Sequence, residues 1–160
     1  LEHRLEGRLE GRPLLVLAGD GPARDRLEGA DPARVRWLGA RPHAEAIDLL
    51  RAADVCVNVR DGDMGMKALE YAAVGRRFVA FRVEGAERLE ALYPAELRAA
   101  VLVEARSEAA LAQALEEALS AERAAPLPPE AVERARGQVG WERTAARIAS
   151  VLEEVRARRS

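Results

Sequence analysis

Asp61, Asp63, Lys67 and Glu70 fall within one stretch, "RDGDMGMKALEY" (60–71), and are the residues of this 160-residue chain best suited to chemistry. Lys67 is the only lysine among 25 Lys and Arg residues, all the others being arginine. The stretch reads as a Gly- and acid-rich turn running into a helix. The first N–H groups of such a helix have no partner within it, and its dipole favours an anion such as phosphate at that end. Glu70 falls one turn inside the helix. Its two carboxylate oxygens can accept from two neighbouring hydroxyls, as in a ribose 2′,3′-diol. Lys67 and Glu70 stand at i, i+3 on one face, so the alternative is a solvated surface pair contributing about 0.3 kcal/mol.

The elements around that stretch alternate. Short apolar runs predict strands at "PLLVLAG" (13–19), "VRWLG" (35–39), "VCVNV" (55–59), "RFVAFRV" (77–83) and "AVLVE" (100–104). Between them, helical patterns run through "GPARDRLEGA" (21–30), "HAEAIDLLRAA" (43–53), "MKALEYAAVG" (66–75), "GAERLEALYP" (85–94) and "SEAALAQALEEALSAE" (107–122). Gly75 reads as a C-cap and Ser107 as an N-cap. "APLPP" (125–129) is a rigid break, after which a long helical segment runs from Glu130 to about Arg156, with a kink expected around Gly137 and Gly140. Strand–helix alternation at this spacing means an α/β domain with a parallel sheet and flanking helices.

In an open parallel sheet, ligands bind beyond the carboxyl ends of the strands. Four Gly-containing turns lie on that edge: "GDGP" (19–22), "GARPH" (39–43), "RDGDMG" (60–65) and "EGAE" (84–87). Glycine there lets backbone approach a ligand closely, or simply makes a tight turn. "GDGP" is not the GxGxxG dinucleotide fingerprint, and there is no Walker lysine motif.

Composition narrows the function class. Apolar residues make up 49% and charged residues 32%, and no apolar run approaches the ~20 residues needed to span a bilayer. The charged opening "LEHRLEGRLEGR" is not expected to be a signal peptide. The single Cys56 allows no internal disulfide and reads as a small core residue. With a net charge of −2 and 4% aromatics, there is neither a basic stripe for a nucleic-acid backbone nor a set of rings for stacked bases. His43, at a helix start, reads as a cap that can also touch a base or sugar. Trp37 reads as partly buried packing, and Trp141 as the residue that docks the closing helix on the domain. No metal-ligand spacing occurs.

"LLVLAGDGP", "VRWLGARP", "LLRAADVCVNV", "MKALEYAAVGRRFVAF" and "GWERTAARIASVLEEV" occur in one order and spacing over roughly 13–155. Together they resemble the C-terminal domain of GT-B glycosyltransferases of family four, which are retaining and sugar-nucleotide dependent. The resemblance implies the C-terminal, Rossmann-like half of a GT-B fold. That half binds a nucleotide diphosphate sugar for hexosyl transfer to an acceptor hydroxyl, while an N-terminal domain binds the acceptor sugar, lipid or small molecule. The second Glu of the family's E-x7-E motif falls on Glu70 and implies a ribose ligand. The loop at Gly39 to Arg41 lies beside the base in that family, and the turn with Gly62 and Gly65 holds the sugar and diphosphate. Some branches carry a lysine three residues before the second Glu, which makes Lys67 a diphosphate contact.

Two departures from the family pattern stand out. The first Glu of E-x7-E is replaced by Gly62, so a catalytic or sugar-facing carboxylate would have to come from Asp61 or Asp63, one residue out of register on either side. The family's opening strand, with its Arg and Lys, has no counterpart. The chain is therefore expected to be a fragment, with 1–123 an N-terminally truncated nucleotide-sugar-binding domain and 124–160 a helical segment packing back on it. By the strand order 3-2-1-4-5-6, the absent strand belongs between 13–19 and 55–59. A gap or irregular pairing is expected there, with residues 1–10 helical or frayed and the isolated chain aggregation-prone. No cofactor, metal or nucleic-acid partner is expected, and the expected location is cytoplasmic, with the inner face of the membrane open to a full-length protein. The alternatives are a sugar-nucleotide epimerase of GT-B architecture, whose acid and base would be drawn from Asp61, Asp63 and His43, and a non-catalytic α/β binding or signalling module of the receiver type.

Overall fold

In the computed structural model of the chain, residues 14–22, 31–59, 62, 65–104 and 106–158 are described. The elements run in chain order β1 (Leu15–Leu17), β2 (Val35–Trp37), α1 (His43–Ala52), β3 (Val55–Asn58), α2 (Gly65–Ala73), β4 (Arg77–Phe81), α3 (Glu87–Glu90), a 3₁₀ turn (Ala95–Leu97), β5 (Ala100–Val103), α4 (Glu108–Ala124), α5 (Pro129–Val139) and α6 (Trp141–Ala157). All strand pairs are parallel. The α/β class with flanking helices and a long C-terminal helix is thus the one the alternation implies.

The segment 85–94 is less helical than its pattern suggests: α3 is a single turn, Glu87–Glu90. Pro94, whose ring fixes φ and removes a donor, stands at the start of the following 3₁₀ turn. Residues 23–30 of the helical pattern at 21–30 and the opening 1–10 lie outside the described residues, as do Asp61 and Asp63.

The core gathers around β4. "RFVAF" has a parallel neighbour on each side, with Cys56 opposite Phe78 and Phe78 opposite Ala100. Its first four residues are consequently buried. Phe78, Val79 and Leu89 are the largest fully buried side chains, each burial contributing about 1.5–3 kcal/mol. On one face lie Ala68, Tyr71 and Ala72 of α2 with Ala131 and Ala135 of α5. On the other, Val79 and Val103 pack against Ala114 and Ala118 of α4. Alanine at these helix positions lets the backbones approach the sheet closely. Ser107 caps α4 as the sequence suggests, its Oγ accepting from Ala110 N at 3.2 Å, with alanine at 110 where a Glu would complete a capping box.

Among the described residues the sheet is not continuous. β1 and β2 form one two-stranded sheet, and β3, β4 and β5 another, in that order. The division falls between 13–19 and 55–59, where a gap or irregular pairing is expected from the sequence. The consequences are visible on both sides of it. Leu14, Leu15 and Val16 are 42–47% exposed although all are apolar and two lie in a strand. The connecting helix α1 contains no buried residue. Burial of a parallel strand needs a neighbour on each edge and cover on each face, and among the described residues β1 pairs with β2 alone.

The C-terminal segment behaves in two ways. α5 packs on the domain: Arg136 Nε donates to Ala73 O at 2.7 Å. α6 starts after a break at Gly140, as the glycine there suggests, but it has no buried residue. Trp141 does not dock this helix on the domain; it is 77% exposed. The chain turns at Gly140 into an extended conformation (φ −65°, ψ 151°) between α5 and α6.

Candidate functional site

The firmest part of the site is the turn and helix after β3. Gly62 (φ +95°) and Gly65 (φ +62°) both take left-handed backbone conformations that other residues adopt at a cost. Gly65 opens α2, the helix that follows β3 in the chain. The helix is held from beneath. Tyr71 Oη donates to Val57 O at 3.2 Å, its ring lies 6.0 Å from that of Phe78, and Tyr93 Oη donates to Ala72 O at 2.9 Å. Burial pushes both phenols up to about 12 from 10.0, so both remain donors throughout the neutral range.

At its far end α2 closes as the sequence suggests. Gly75 (φ +73°) follows the last turn, with Gly75 N bonded to Ala72 O and Arg76 N to Tyr71 O, each at 3.0 Å. A Cβ at Gly75 would lie 2.6 Å from Val132 Cγ1 of α5. Glycine here serves both the turn and the close approach of two helices.

On the solvent face of α2, Lys67 Nζ donates to Glu70 Oε2 at 2.8 Å. Glu70 is 24% exposed along its side chain and Lys67 56%. The two residues singled out by type and spacing are therefore brought together, as an ion pair beside the helix N-terminus. Glu70 Oε2 is occupied by the lysine, and a diol would have to share or replace that contact.

Gly39 and Arg41 stand elsewhere. Gly39 (φ +70°) follows β2, and its carbonyl accepts from Gly19 N at 2.9 Å, tying the turns after β1 and β2 together. Arg41 is exposed. These residues belong to the two-stranded sheet, and Gly62, Gly65, Lys67 and Glu70 to the three-stranded one. His43 is the first residue of α1, whose N-cap position is held by Pro42 with no side-chain cap bond. The expected capping role for His43 is not realised, because it sits one position too late to cap.

Sequence reasoning missed a further charged group on the same edge. Arg82, just beyond β4, reaches Glu90 at 2.6 Å and Glu104, just beyond β5, at 2.5 Å. The hydrogen bond to Glu90, with the charges of both carboxylates, raises its pKa further. The three come from separate elements, and only the register of β4 against β5 brings them together. Among the described residues, no three His, Cys, Asp or Glu side chains are grouped as metal ligands. Among the same residues, no helix is long and apolar enough to cross a membrane.

The comparisons with known proteins agree with this architecture. The family described as "Glycosyl transferases group 1" matches residues 4–121. Among solved structures, a sucrose-phosphate synthase from Thermosynechococcus elongatus superposes with a TM-score of 0.67 at 27% sequence identity. The match covers 90% of this chain and 38% of that one, so the chain spans well under half the length of the synthase. No curated protein sequence matches the chain.

Proposed function

The chain belongs to the glycosyl transferases group 1 family, and on that premise we propose that it is the donor-binding half of a glycosyltransferase that uses a nucleotide diphosphate sugar. The observation that carries this reading is the left-handed backbone at Gly62 and at Gly65, which opens α2, with Glu70 one turn inside the helix. The first N–H groups of α2 have no partner within the helix and favour a diphosphate there, and the carboxylate stands where a ribose diol would. Lys67 swings from Glu70 toward the diphosphate when the donor binds, so that the positive charge balances the leaving group while Glu70 turns to the ribose.

Gly39 and Arg41 flank the base in this arrangement, and Asp61 or Asp63 supplies the carboxylate that Gly62 lacks. Electrostatic support of the departing diphosphate by a helix N-terminus and a lysine is the kind of preorganised stabilisation that dominates many transfer reactions. The transferred group is a hexose and the acceptor a hydroxyl, with retention of anomeric configuration as the resemblance to family four implies. The name of the matched synthase gives a phosphorylated sugar as its product, which fits hexosyl transfer. The acceptor would be held by a second domain, because acceptor and anomeric carbon must be positioned together for transfer.

Titration with several nucleoside diphosphates tests the reading. Saturable binding that weakens in Glu70→Ala supports it; a full-length protein that binds none of them leaves a non-catalytic module as the better description.

A further inference from the structure

α2 opens with a charge that does not suit a helix start. Glutamate stands in the first turn of α1 (Glu45), α4 (Glu108), α5 (Glu130) and α6 (Glu142), where the dipole favours an anion. The first turn of α2 has no acidic residue and carries Lys67, the chain's only lysine. The order of its ion pair is reversed as well. Asp48–Arg51 in α1 and Glu133–Arg136 in α5 place the acid first, the arrangement that suits the dipole, whereas Lys67–Glu70 places the base first. Glu70 thus holds a cation at the positive end of its own helix, and an anion arriving at that end competes with it for the lysine.

The consequence for a ligand comes from the carboxylate. A ribose diol needs both oxygens of Glu70, one for each hydroxyl, and Oε2 is taken by Lys67 Nζ at 2.8 Å. A ligand with a ribose but no phosphate has nothing to draw the lysine away and must break the pair unaided. A ligand with a diphosphate draws the lysine to itself and frees the carboxylate. Phosphate and ribose therefore bind cooperatively through one side chain, and the coupling is mutual.

We propose that Lys67 is a specificity residue of the site, which withholds Glu70 from nucleosides and yields it to nucleoside diphosphates. The proposal rests on the donor-binding reading above and adds to it a discrimination that neither residue supplies alone. A lysine that served only as a phosphate contact would leave nucleoside binding untouched. A lysine that withholds Glu70 weakens it, so removing the side chain moves the two ligands in opposite directions.

Calorimetric titration of the 160-residue chain with uridine, guanosine and adenosine, and with their diphosphates, tests this, with circular dichroism to verify folding. In Lys67→Met the diphosphate of the preferred base should bind more weakly and its nucleoside more tightly, each by about threefold, within the range of an exposed ion pair. Lys67→Gln, which keeps a polar side chain, should do the same. Glu70→Gln/Lys67→Met should lose the nucleoside gain, because the freed carboxylate is its source. Salt gives a second reading. Screening loosens the pair, so raising the ionic strength should tighten nucleoside binding to the parent and leave it unchanged in Lys67→Met. A parent that binds no nucleoside diphosphate overturns the donor-binding reading, and this proposal with it. A parent that binds them, with nucleoside affinity unchanged or reduced in both Lys67 variants, overturns the withholding role and leaves the donor site standing. A gain that persists in Glu70→Gln/Lys67→Met overturns it too, since Glu70 is then not the group released.

Discussion

Lys67 Nζ and Glu70 Oε2 lie 2.8 Å apart on the exposed face of α2, one turn from a helix N-terminus set by Gly65. The pair is half in water, so it adds about 0.2–1 kcal/mol to stability at most. Its significance is chemical. In the proposed site the same two groups part, the amine toward phosphate and the carboxylate toward ribose.

Glu70→Gln should therefore weaken nucleotide binding while leaving the melting temperature within about 2 °C of the parent. The charge-assisted acceptor is lost, but a solvent-facing position tolerates the amide. Calorimetric titration with a nucleoside diphosphate measures it, and equal affinity in both proteins would remove Glu70 from the site.

Lys67→Ala should cost affinity for nucleoside diphosphates more than for the corresponding nucleosides, by about tenfold in the ratio. The partner lost is phosphate. Parallel titrations with the two ligands distinguish this from a structural lysine, whose removal would affect both equally.

Gly75→Ala should destabilise the fold by about 2–3 kcal/mol. An L residue resists the φ of +73°, and its Cβ would meet Val132 Cγ1 at 2.6 Å. Adding Val132→Ala relieves the clash but not the backbone, so chemical denaturation of the double variant should show only part of the Gly75→Ala loss restored.

Arg77 is the buried charged residue of the core among the described residues, 3% exposed, and it meets Glu122 of α4 at 2.9 Å while donating to Leu97 O and Ala125 O. Removing one partner strands a buried charge, so Glu122→Ala should cost about 3–5 kcal/mol. Urea unfolding of Glu122→Ala beside Arg77→Met/Glu122→Leu checks it: the double variant should be the more stable of the two, since neither charge remains.

Cys56 ties pH to stability. Burial pushes its thiol up from 9.0 to about 11, with Arg76 opposing in part. Below pH 9 the folded and unfolded chains both keep the proton. Between 9 and 11 the unfolded chain releases it first, so stability falls as pH rises through that window. Tyr71 and Tyr93 extend the fall towards pH 12. Cys56→Ala should flatten the first part of a melting-temperature profile, and the native thiol should resist a thiol reagent at pH 8.

Much of this molecule is written in local pattern. The alternation of apolar runs with helical stretches determines the α/β class, because a short apolar run without alternation has to be buried on both faces. The caps at Gly75 and Ser107, the break at Gly140, and the pairing of Lys67 with Glu70 at i, i+3 follow from residues a few positions apart, whose geometry the backbone itself dictates. Other features depend on elements distant in sequence. Arg82 meets Glu90 and Glu104 only because β4 and β5 stand in a particular register, and Tyr71 reaches Val57 O only because α2 lies across β3. The fate of Trp141 depended on whether α6 found a surface, and a large aromatic at a helix start looks the same whether it is buried or bare. The divided sheet belongs to both levels. The motif order predicts an interruption beside 13–19, but the form it takes among the described residues, a two-stranded and a three-stranded parallel sheet with Leu14, Leu15 and Val16 exposed, is decided by tertiary structure, because burial of a strand depends on what packs against it from elsewhere in the chain.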